Sequence, residues 1–112
     1  MALDHLTTVY FVGINSNMDA ELLFRKRIAL LEKTFVEMAV WKVPKPLPGS
    51  VHGFKYRLAL VANGVCVLRY DNESGKGDHK HIEEAEMAYC FTDLDSLQAD
   101  FWKDVENWRT KQ

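Results

Sequence analysis

The sequence predicts an α+β fold in which a four- to five-stranded, mainly antiparallel sheet packs against a C-terminal helix. Three patterns support this fold: an Asn-Gly pair between two apolar runs, alternating side chains in an earlier segment, and an apolar stripe at helical spacing near the C-terminus. The 112 residues are enough for one domain with a single core. We expect residues 18–112 to form that domain and residues 1–17 to be an N-terminal extension or edge strand.

The Asn63-Gly64 pair is the strongest turn signal in the chain, because a type I′ turn requires positive φ at both central positions. It joins two predicted strands, 54–62 and 65–71. Because the turn type fixes the register of a hairpin, the strand pairs can be counted outward from the turn. The expected pairs are Val61 with Cys66, Ala59 with Leu68, Arg57 with Tyr70, and Lys55 with Asn72.

Two further strands are predicted upstream of this hairpin. Residues 34–43 alternate and are rich in β-branched and aromatic side chains. Residues 21–31 also fit a strand, although a helix is possible there, and a turn near Glu32-Lys33 would join the two as a hairpin. Three prolines at alternate positions in the segment 44–50 fix an extended conformation, which we interpret as a stiff crossing loop.

The C-terminal part is predicted to contain one short strand and the helix. Residues 87–91 fit the strand, and Thr92 is a good N-cap for a helix over 93–109. The apolar stripe of this helix comprises Leu94, Leu97, Phe101, Val105 and Trp108, with Trp102 beside it. At this spacing we expect the aromatic side chains to belong to the core rather than to a cofactor site.

The composition is that of a folded protein, with 47% hydrophobic and 27% charged residues. A net charge of −2 argues against a uniformly basic coat for nucleic acid but permits a local basic patch. Cys66 and Cys90 lie in apolar runs, so we expect buried thiols without a disulfide. No segment has the ~20 apolar residues of a membrane span, and residues 8–14 do not resemble a signal peptide, which predicts a cytoplasmic protein.

Segment 69–81 contains most of the residues suited to chemistry. Gly75 and Gly77 free its backbone, either to bring amides close to a phosphate or to form a solvated turn. In an extended conformation His79 and His81 point the same way, which suits acid–base catalysis or a metal site completed by a nearby aspartate. Acid–base catalysis without a metal or cofactor fits better, because imidazole titrates near neutral pH and cationic side chains lie close by. An exposed loop with incidental histidines is the third possibility.

Cationic side chains near this segment suit a polyanion. The basic run Arg25-Lys26-Arg27 adds its charge to that of Lys55 and Arg57. The counted register places Lys55 and Arg57 beside Tyr70 and Asn72, where the histidine segment begins. Cations, an aromatic ring and paired imidazoles can together hold single-stranded RNA by ion pairing and base stacking.

Three stretches of the chain resemble the TumE-type toxins of bacterial and archaeal toxin–antitoxin modules. They read ELLFRKRIAL, FVEMAVWKVPKPLPGSVHGFKYRLALVANGVCVLRYDNESGKGDHKH and FTDLDSLQADFWKDVENWR. The resemblance covers about residues 18–109, and residues 1–17 are expected to lie outside it. It implies a helix-turn-helix antitoxin as partner and an attack on RNA as the toxic activity. It does not imply catalytic residues, whose roles are assigned below from their chemistry alone.

The leading hypothesis is a toxin that cleaves RNA without a metal, by attack of the ribose 2′-hydroxyl. The catalytic candidates are His79 and His81 as general base and acid, Lys76 on the scissile phosphate, and Asp78 as a residue that orients an imidazole. The substrate-binding candidates are Lys55, Arg57, Arg69, Tyr70, Asp71 and Asn72, of which Asp71 is the second candidate for orienting an imidazole. The alternative is a non-catalytic module that binds RNA or protein, and a homo-oligomer is possible in either case.

Overall fold

The computed structural model describes residues 19–112, in which six strands form one antiparallel sheet followed by one helix. The strands lie side by side in sequence order. The elements are β1 (Glu21–Leu31), β2 (Thr34–Lys42), β3 (Phe54–Ala62), β4 (Val65–Asp71), β5 (His79–Ile82), β6 (Ala85–Ala88) and α1 (Leu94–Thr110). The predicted α+β class is confirmed. The predicted extension or edge strand at residues 1–17 lies outside the described residues.

The predicted strand count was too low because segment 79–82 is itself a strand. His79–Ile82 contains two histidines and a lysine and so lacks the apolar run by which strands are recognised in a sequence. It becomes a strand by pairing with β4 on one side and with β6 on the other. The predicted strand 87–91 also begins earlier, at Ala85, and ends at Ala88.

The first hairpin, between β1 and β2, follows the prediction. Residues 21–31 are a strand rather than a helix, and Lys33 makes the turn with φ of 63°. The proline segment then connects β2 to β3. Because β2 and β3 are neighbours in the sheet, this segment is a long hairpin loop, and the predicted crossing was wrong.

The second hairpin has the predicted turn but not the predicted register. Asn63 and Gly64 have φ of 51° and 79°, as a type I′ turn requires, and Val61 pairs with Cys66. A bulge then shifts the ladder by one residue, so that Leu60 pairs with Leu68 and Leu58 with Tyr70. The predicted pairing of Arg57 with Tyr70 was therefore wrong, because Arg57 lies opposite Asp71.

Burial of apolar side chains explains the bulge. Without it, Leu58 and Leu60 would share a sheet face with Arg69 and Val67. With it, Leu68 and Tyr70 join the two leucines on the face that α1 covers, and Arg69 turns to the opposite face. A charged guanidinium is costly to bury without a partner. The bulged pairing, which buries apolar side chains instead, is therefore favoured over a regular ladder.

The core lies between one face of the sheet and α1. Its buried residues are Val36, Met38, Val40, Tyr56, Leu58, Leu60, Leu68, Tyr70, Leu97, Phe101 and Val105. The helix follows the predicted apolar stripe but begins one residue later than expected. Asp93 rather than Thr92 is its N-cap, because the Asp93 carboxylate accepts the Ser96 amide hydrogen at 2.7 Å.

No helix lies on the opposite face of the sheet in the described part of the chain. We call this surface the helix-free face. Cys66 lies beside the turn of the second hairpin, and Cys90 follows the end of β6. Both thiols are free, as expected, but both are exposed, so the prediction of burial was wrong. Within residues 19–112 there is also no helix with the length and apolar character needed to cross a membrane.

Truncating Phe101 to alanine tests whether α1 completes the core. The ring is fully buried and stands edge-on to Tyr70, with 5.6 Å between the ring centroids. We expect Phe101→Ala to lower the free energy of unfolding by about 3–5 kcal/mol, measured by urea denaturation. The exposed Lys103→Ala variant on the same helix is the control and should change it by less than about 0.5 kcal/mol. Equal stability of the two variants would contradict this packing.

Candidate functional site

Five side chains meet on the helix-free face because of the ladders that join β4, β5 and β6. Asp71 lies opposite His79, Arg69 lies opposite His81, and His81 in turn lies opposite Glu86. Alternate residues of a strand share a face, so Arg69 and Asp71 project to the same side as the two histidines. We call Arg69, Asp71, His79, His81 and Glu86 the imidazole cluster.

His79 is the buried member of the cluster, with 5% of its surface exposed. Its Nδ1 atom lies 3.0 Å from the carbonyl oxygen of Gly77, and its Nε2 atom lies 2.7 Å from Oδ1 of Asp71. The ring is therefore held at both nitrogens. Of the two predicted orienting aspartates, Asp71 is the one that contacts His79.

His81 is the more accessible imidazole, with 24% of its side chain exposed. Its ring centroid lies 5.0 Å from that of His79. The guanidinium of Arg69 donates to Nε2 of His81 at 2.8 Å, so this nitrogen carries a lone pair. Burial, and next the nearby Arg69 charge, lower the pKa of His81, which favours the neutral imidazole.

The anionic members complete the cluster. Nε of Arg69 lies 3.0 Å from Oδ2 of Asp71. The Glu86 carboxylate is half-exposed, and its Oε2 lies 3.7 Å from Nε2 of His79 and 3.6 Å from Nε2 of His81. Asp71, His79 and His81 also present one potential metal-ligand atom each, all within 4.8 Å of one another. Glu86 was not predicted from the sequence, because its position became visible only with the β5–β6 pairing.

Asp78 belongs to a separate cluster. Its carboxylate accepts hydrogen bonds from the Ser50 hydroxyl at 2.6 Å and the Tyr56 hydroxyl at 2.7 Å. The imidazole that it contacts is His52, at 2.7 Å, rather than His79 or His81. His52 also stacks on Phe91 with ring centroids 3.8 Å apart. These contacts tie the β2–β3 loop to the start of β5, which gives Asp78 a structural position.

Tyr70 and Asn72 are also internal. The Tyr70 hydroxyl donates to Asp104 of α1, and burial together with this hydrogen bond raises the pKa of Tyr70 well above its usual range. Asn72 is 1% exposed; its side chain accepts the Tyr56 amide at 2.9 Å and donates to the Phe54 carbonyl at 2.7 Å. The bulge explains this outcome, because it turns both residues toward α1 and away from the cationic side chains.

The glycine segment forms a supported turn. The Gly75 amide donates to the carbonyl oxygen of Pro48 at 2.7 Å, and the Lys76 amide donates to that of Glu73 at 3.0 Å. These two amides are therefore engaged within the protein rather than directed at a phosphate. The Lys76 side chain remains exposed, with its ammonium 3.9 Å from the Glu73 carboxylate.

Cationic and aromatic side chains continue the helix-free face beyond the imidazole cluster. The strand pairs place Arg57 between Ala39 and Asp71, and Lys55 beside Trp41. The Trp41 ring carries two cations, the Arg25 guanidinium at 5.8 Å and the Lys55 ammonium at 5.7 Å from its centroid. Through Asp71, the ladders thus connect Arg57 to His79 across the sheet, on the face away from Tyr70, whereas Lys55 lies beyond the end of the β3–β4 ladder.

The fold and site define a small α+β protein in which two histidines, two carboxylates and several cations share one sheet face. The family model described as toxin TumE matches residues 6–109, so the chain belongs to the toxin TumE family. This membership supports a toxin role and, in general terms, an antitoxin partner. The match includes residues 6–17, which were expected to lie outside the resemblance. Comparison with curated proteins and with solved structures gave no match.

The structural position of Asp78 predicts a loss of stability when it is truncated. Asp78→Ala removes the shared acceptor of Ser50 and Tyr56, so we expect the free energy of unfolding to fall by about 3 kcal/mol or more in urea denaturation. The matched control is Glu73→Ala in the same loop, whose exposed pair with Lys76 should contribute less than about 1 kcal/mol. A stable Asp78→Ala protein would contradict the structural assignment.

Proposed function

We propose that this toxin acts in the cytoplasm as an endoribonuclease that requires no metal ion. The observation that carries the proposal is the pair of imidazoles 5.0 Å apart on the helix-free face, with Arg69 and Glu86 beside them. Two imidazoles at this separation suit a reaction that needs one base and one acid on opposite sides of a phosphate.

In the proposed reaction the RNA supplies its own nucleophile. The predicted roles of the two histidines are exchanged here, because His81 is the accessible imidazole: it takes the proton of the ribose 2′-hydroxyl, and the 2′-oxygen attacks the adjacent phosphorus. The bond from phosphorus to the 5′-oxygen breaks, and His79 gives that oxygen a proton. The products are a 2′,3′-cyclic phosphate and a free 5′-hydroxyl. Water then returns the two imidazoles to their starting protonation states.

Glu86 supports the location proposed for the phosphate. Its carboxylate oxygen lies within 3.7 Å of Nε2 in both histidines, so an anion is already accommodated there. The side chain is half-exposed and free to move into solvent when a phosphate takes its place. Arg69 would then transfer a hydrogen bond from His81 to the phosphate, where charge develops during the reaction. Lys76, on its exposed loop, would add a second cation.

The rest of the helix-free face is proposed to bind the RNA strand. Arg57 and Lys55 would contact backbone phosphates, and Trp41, which is 6% exposed, would support Lys55 rather than stack on a base. Tyr70, Asn72 and Asp78 act indirectly in this proposal, by fixing the strands and loops that carry the cluster. We further propose a helix-turn-helix antitoxin as the partner, on the basis of the family resemblance.

Cleavage of single-stranded RNA in EDTA tests the catalytic proposal. We expect the wild-type protein to cut RNA in EDTA and to leave 2′,3′-cyclic phosphate ends, and we expect no cut at a position that carries a 2′-deoxyribose. His81→Ala should lower the rate by about 100-fold or more, because a general base typically contributes that much. Lys103→Ala, on α1, should retain full activity.

Three results would contradict this proposal. Full activity of His81→Ala would remove the catalytic role of that imidazole. Activity that disappears in EDTA and returns with a divalent ion would contradict metal independence. Tight RNA binding without cleavage of any RNA would favour the alternative, a non-catalytic binding module.

The salt dependence of RNA binding tests the proposed cationic track. The inactive His81→Ala variant serves as the parent, so that binding is measured without cleavage. Adding Arg57→Ala should weaken binding and reduce the slope of log K against log salt by about 0.7, the value for loss of one phosphate contact to single-stranded nucleic acid. Adding Lys103→Ala should leave the slope unchanged. Equal slopes for the two double variants would place the RNA elsewhere.

A further inference from the structure

The buried contact between His79 and Asp71 requires a cation. Nδ1 of His79 faces the Gly77 carbonyl oxygen, which is an acceptor, so Nδ1 carries hydrogen. In a neutral imidazole Nε2 then carries a lone pair, yet it lies 2.7 Å from a carboxylate oxygen of Asp71. Both atoms are buried, and neither has a hydrogen-bond partner among the described residues apart from this contact. Two lone pairs at this distance repel each other unless a proton or a metal ion lies between them.

The spacing of the neighbouring donors suits a metal ion. Tetrahedral Zn²⁺ with bonds of about 2.1 Å separates its ligand atoms by about 3.4 Å. Oε2 of Glu86 lies 3.7 Å from Nε2 of His79 and 3.6 Å from Nε2 of His81. Asp71 supplies the fourth donor. Its ligand atom and those of the two histidines lie within 4.8 Å of one another, so side-chain movements of about 1 Å bring them to the spacing of a bound metal ion.

The chemistry of the donors selects the ion. Two imidazole nitrogens with two carboxylates favour Zn²⁺ and other transition metals, whereas Mg²⁺ prefers oxygen ligands and retains water. The contact of Nδ1 of His79 with the Gly77 carbonyl is also the kind of outer-shell contact that orients a metal-binding histidine.

Arg69 occupies the position of a competing cation. Its guanidinium contacts Nε2 of His81 at 2.8 Å and Asp71 at 3.0 Å, which are two of the four donors. About a third of the Arg69 side chain is exposed, so it can turn into solvent when a metal ion enters. The guanidinium and a metal ion are therefore alternative occupants of the same cluster.

We propose that Asp71, His79, His81 and Glu86 form a Zn²⁺ site and that Zn²⁺ bound there inhibits the toxin. The inhibition rests on the proposed RNA cleavage, because a metal ion would occupy the two nitrogen atoms that move protons and would displace Arg69. The binding of Zn²⁺ does not rest on it. Zn²⁺ bound at this site would thus inhibit a nuclease that needs no metal for catalysis.

Calorimetric titration of the full-length protein with ZnCl₂ at neutral pH tests the site without RNA. We expect one Zn²⁺ per chain and no comparable binding of Mg²⁺. His81→Ala and Glu86→Gln alter partly exposed residues, so both proteins should fold, and each should bind Zn²⁺ at least about tenfold more weakly. Arg69→Gln should bind it about tenfold more tightly, because a charged competitor for two ligands is removed.

Exposed thiols are the other plausible zinc ligands, so a Cys66→Ser/Cys90→Ser variant is the control and should bind Zn²⁺ as the wild type does. Absence of one-to-one binding, or wild-type affinity in both His81→Ala and Glu86→Gln, would overturn the site. Unchanged affinity in Arg69→Gln would overturn the competition between guanidinium and metal.

RNA cleavage with and without ZnCl₂ then tests the inhibition. We expect the rate to fall as the site fills, at Zn²⁺ concentrations that follow the calorimetric affinity, and to recover in EDTA. Cleavage that continues with the site filled would overturn the inhibition but leave the site intact. Absence of any cleavage in EDTA would contradict the proposed function, and the calorimetric result would still stand.

Discussion

The register of β4 is the constraint on which both faces of this protein depend. Leu68 and Tyr70 must lie under α1, and they do so only because a bulge next to Val67 shifts the ladder by one residue. The same shift directs Arg69 and Asp71 to the opposite face. Since β5 pairs with β4, His79 and His81 follow them there. The hydrophobic core and the imidazole cluster are thus two outcomes of one strand register.

The loop between β4 and β5 supports the imidazole cluster. The Gly77 carbonyl fixes the ring of His79, and the backbone of Gly77 lies close against that of Gly49 in the β2–β3 loop. A methyl group on Gly77 would come within 2.8 Å of the Gly49 carbonyl oxygen, so a side chain there would force the two loops apart. Asp78 joins the same loops through Ser50 and His52. The glycines therefore position an imidazole rather than a phosphate.

The features that were predictable from the sequence are those set by local chemistry. The Asn63-Gly64 turn, the strand over 34–43 and the apolar stripe of α1 each follow from a few neighbouring residues. The bulge was not predictable, because it is decided by burial against a helix that lies about thirty residues further along the chain. The strand β5 was not predictable either, because its polar and charged residues show no apolar strand pattern. It is a strand because it pairs with β4 and β6.

The candidate site was predictable in part for the same reason. Alternation within 79–81 was enough to place His79 and His81 on one face, and Asp71 was already a candidate partner. The prediction that Tyr70 and Asn72 lie beside the cationic side chains was wrong, because it was counted from the predicted hairpin register without the bulge. The partners of Asp78 lie 22 to 28 residues away, so no spacing rule could have separated it from the catalytic candidates.

The proposal that RNA reacts at the imidazole cluster is tested most directly by observing the histidine side chains while RNA is bound. Imidazole nitrogen NMR with a 2′-deoxy-substituted RNA, which cannot be cleaved, reports on each ring separately. We expect large shifts for His81 and His79 and little change for His52, which Asp78 holds in the other cluster. Shifts confined to His52, or the absence of any shift for His79 and His81, would contradict the central claim.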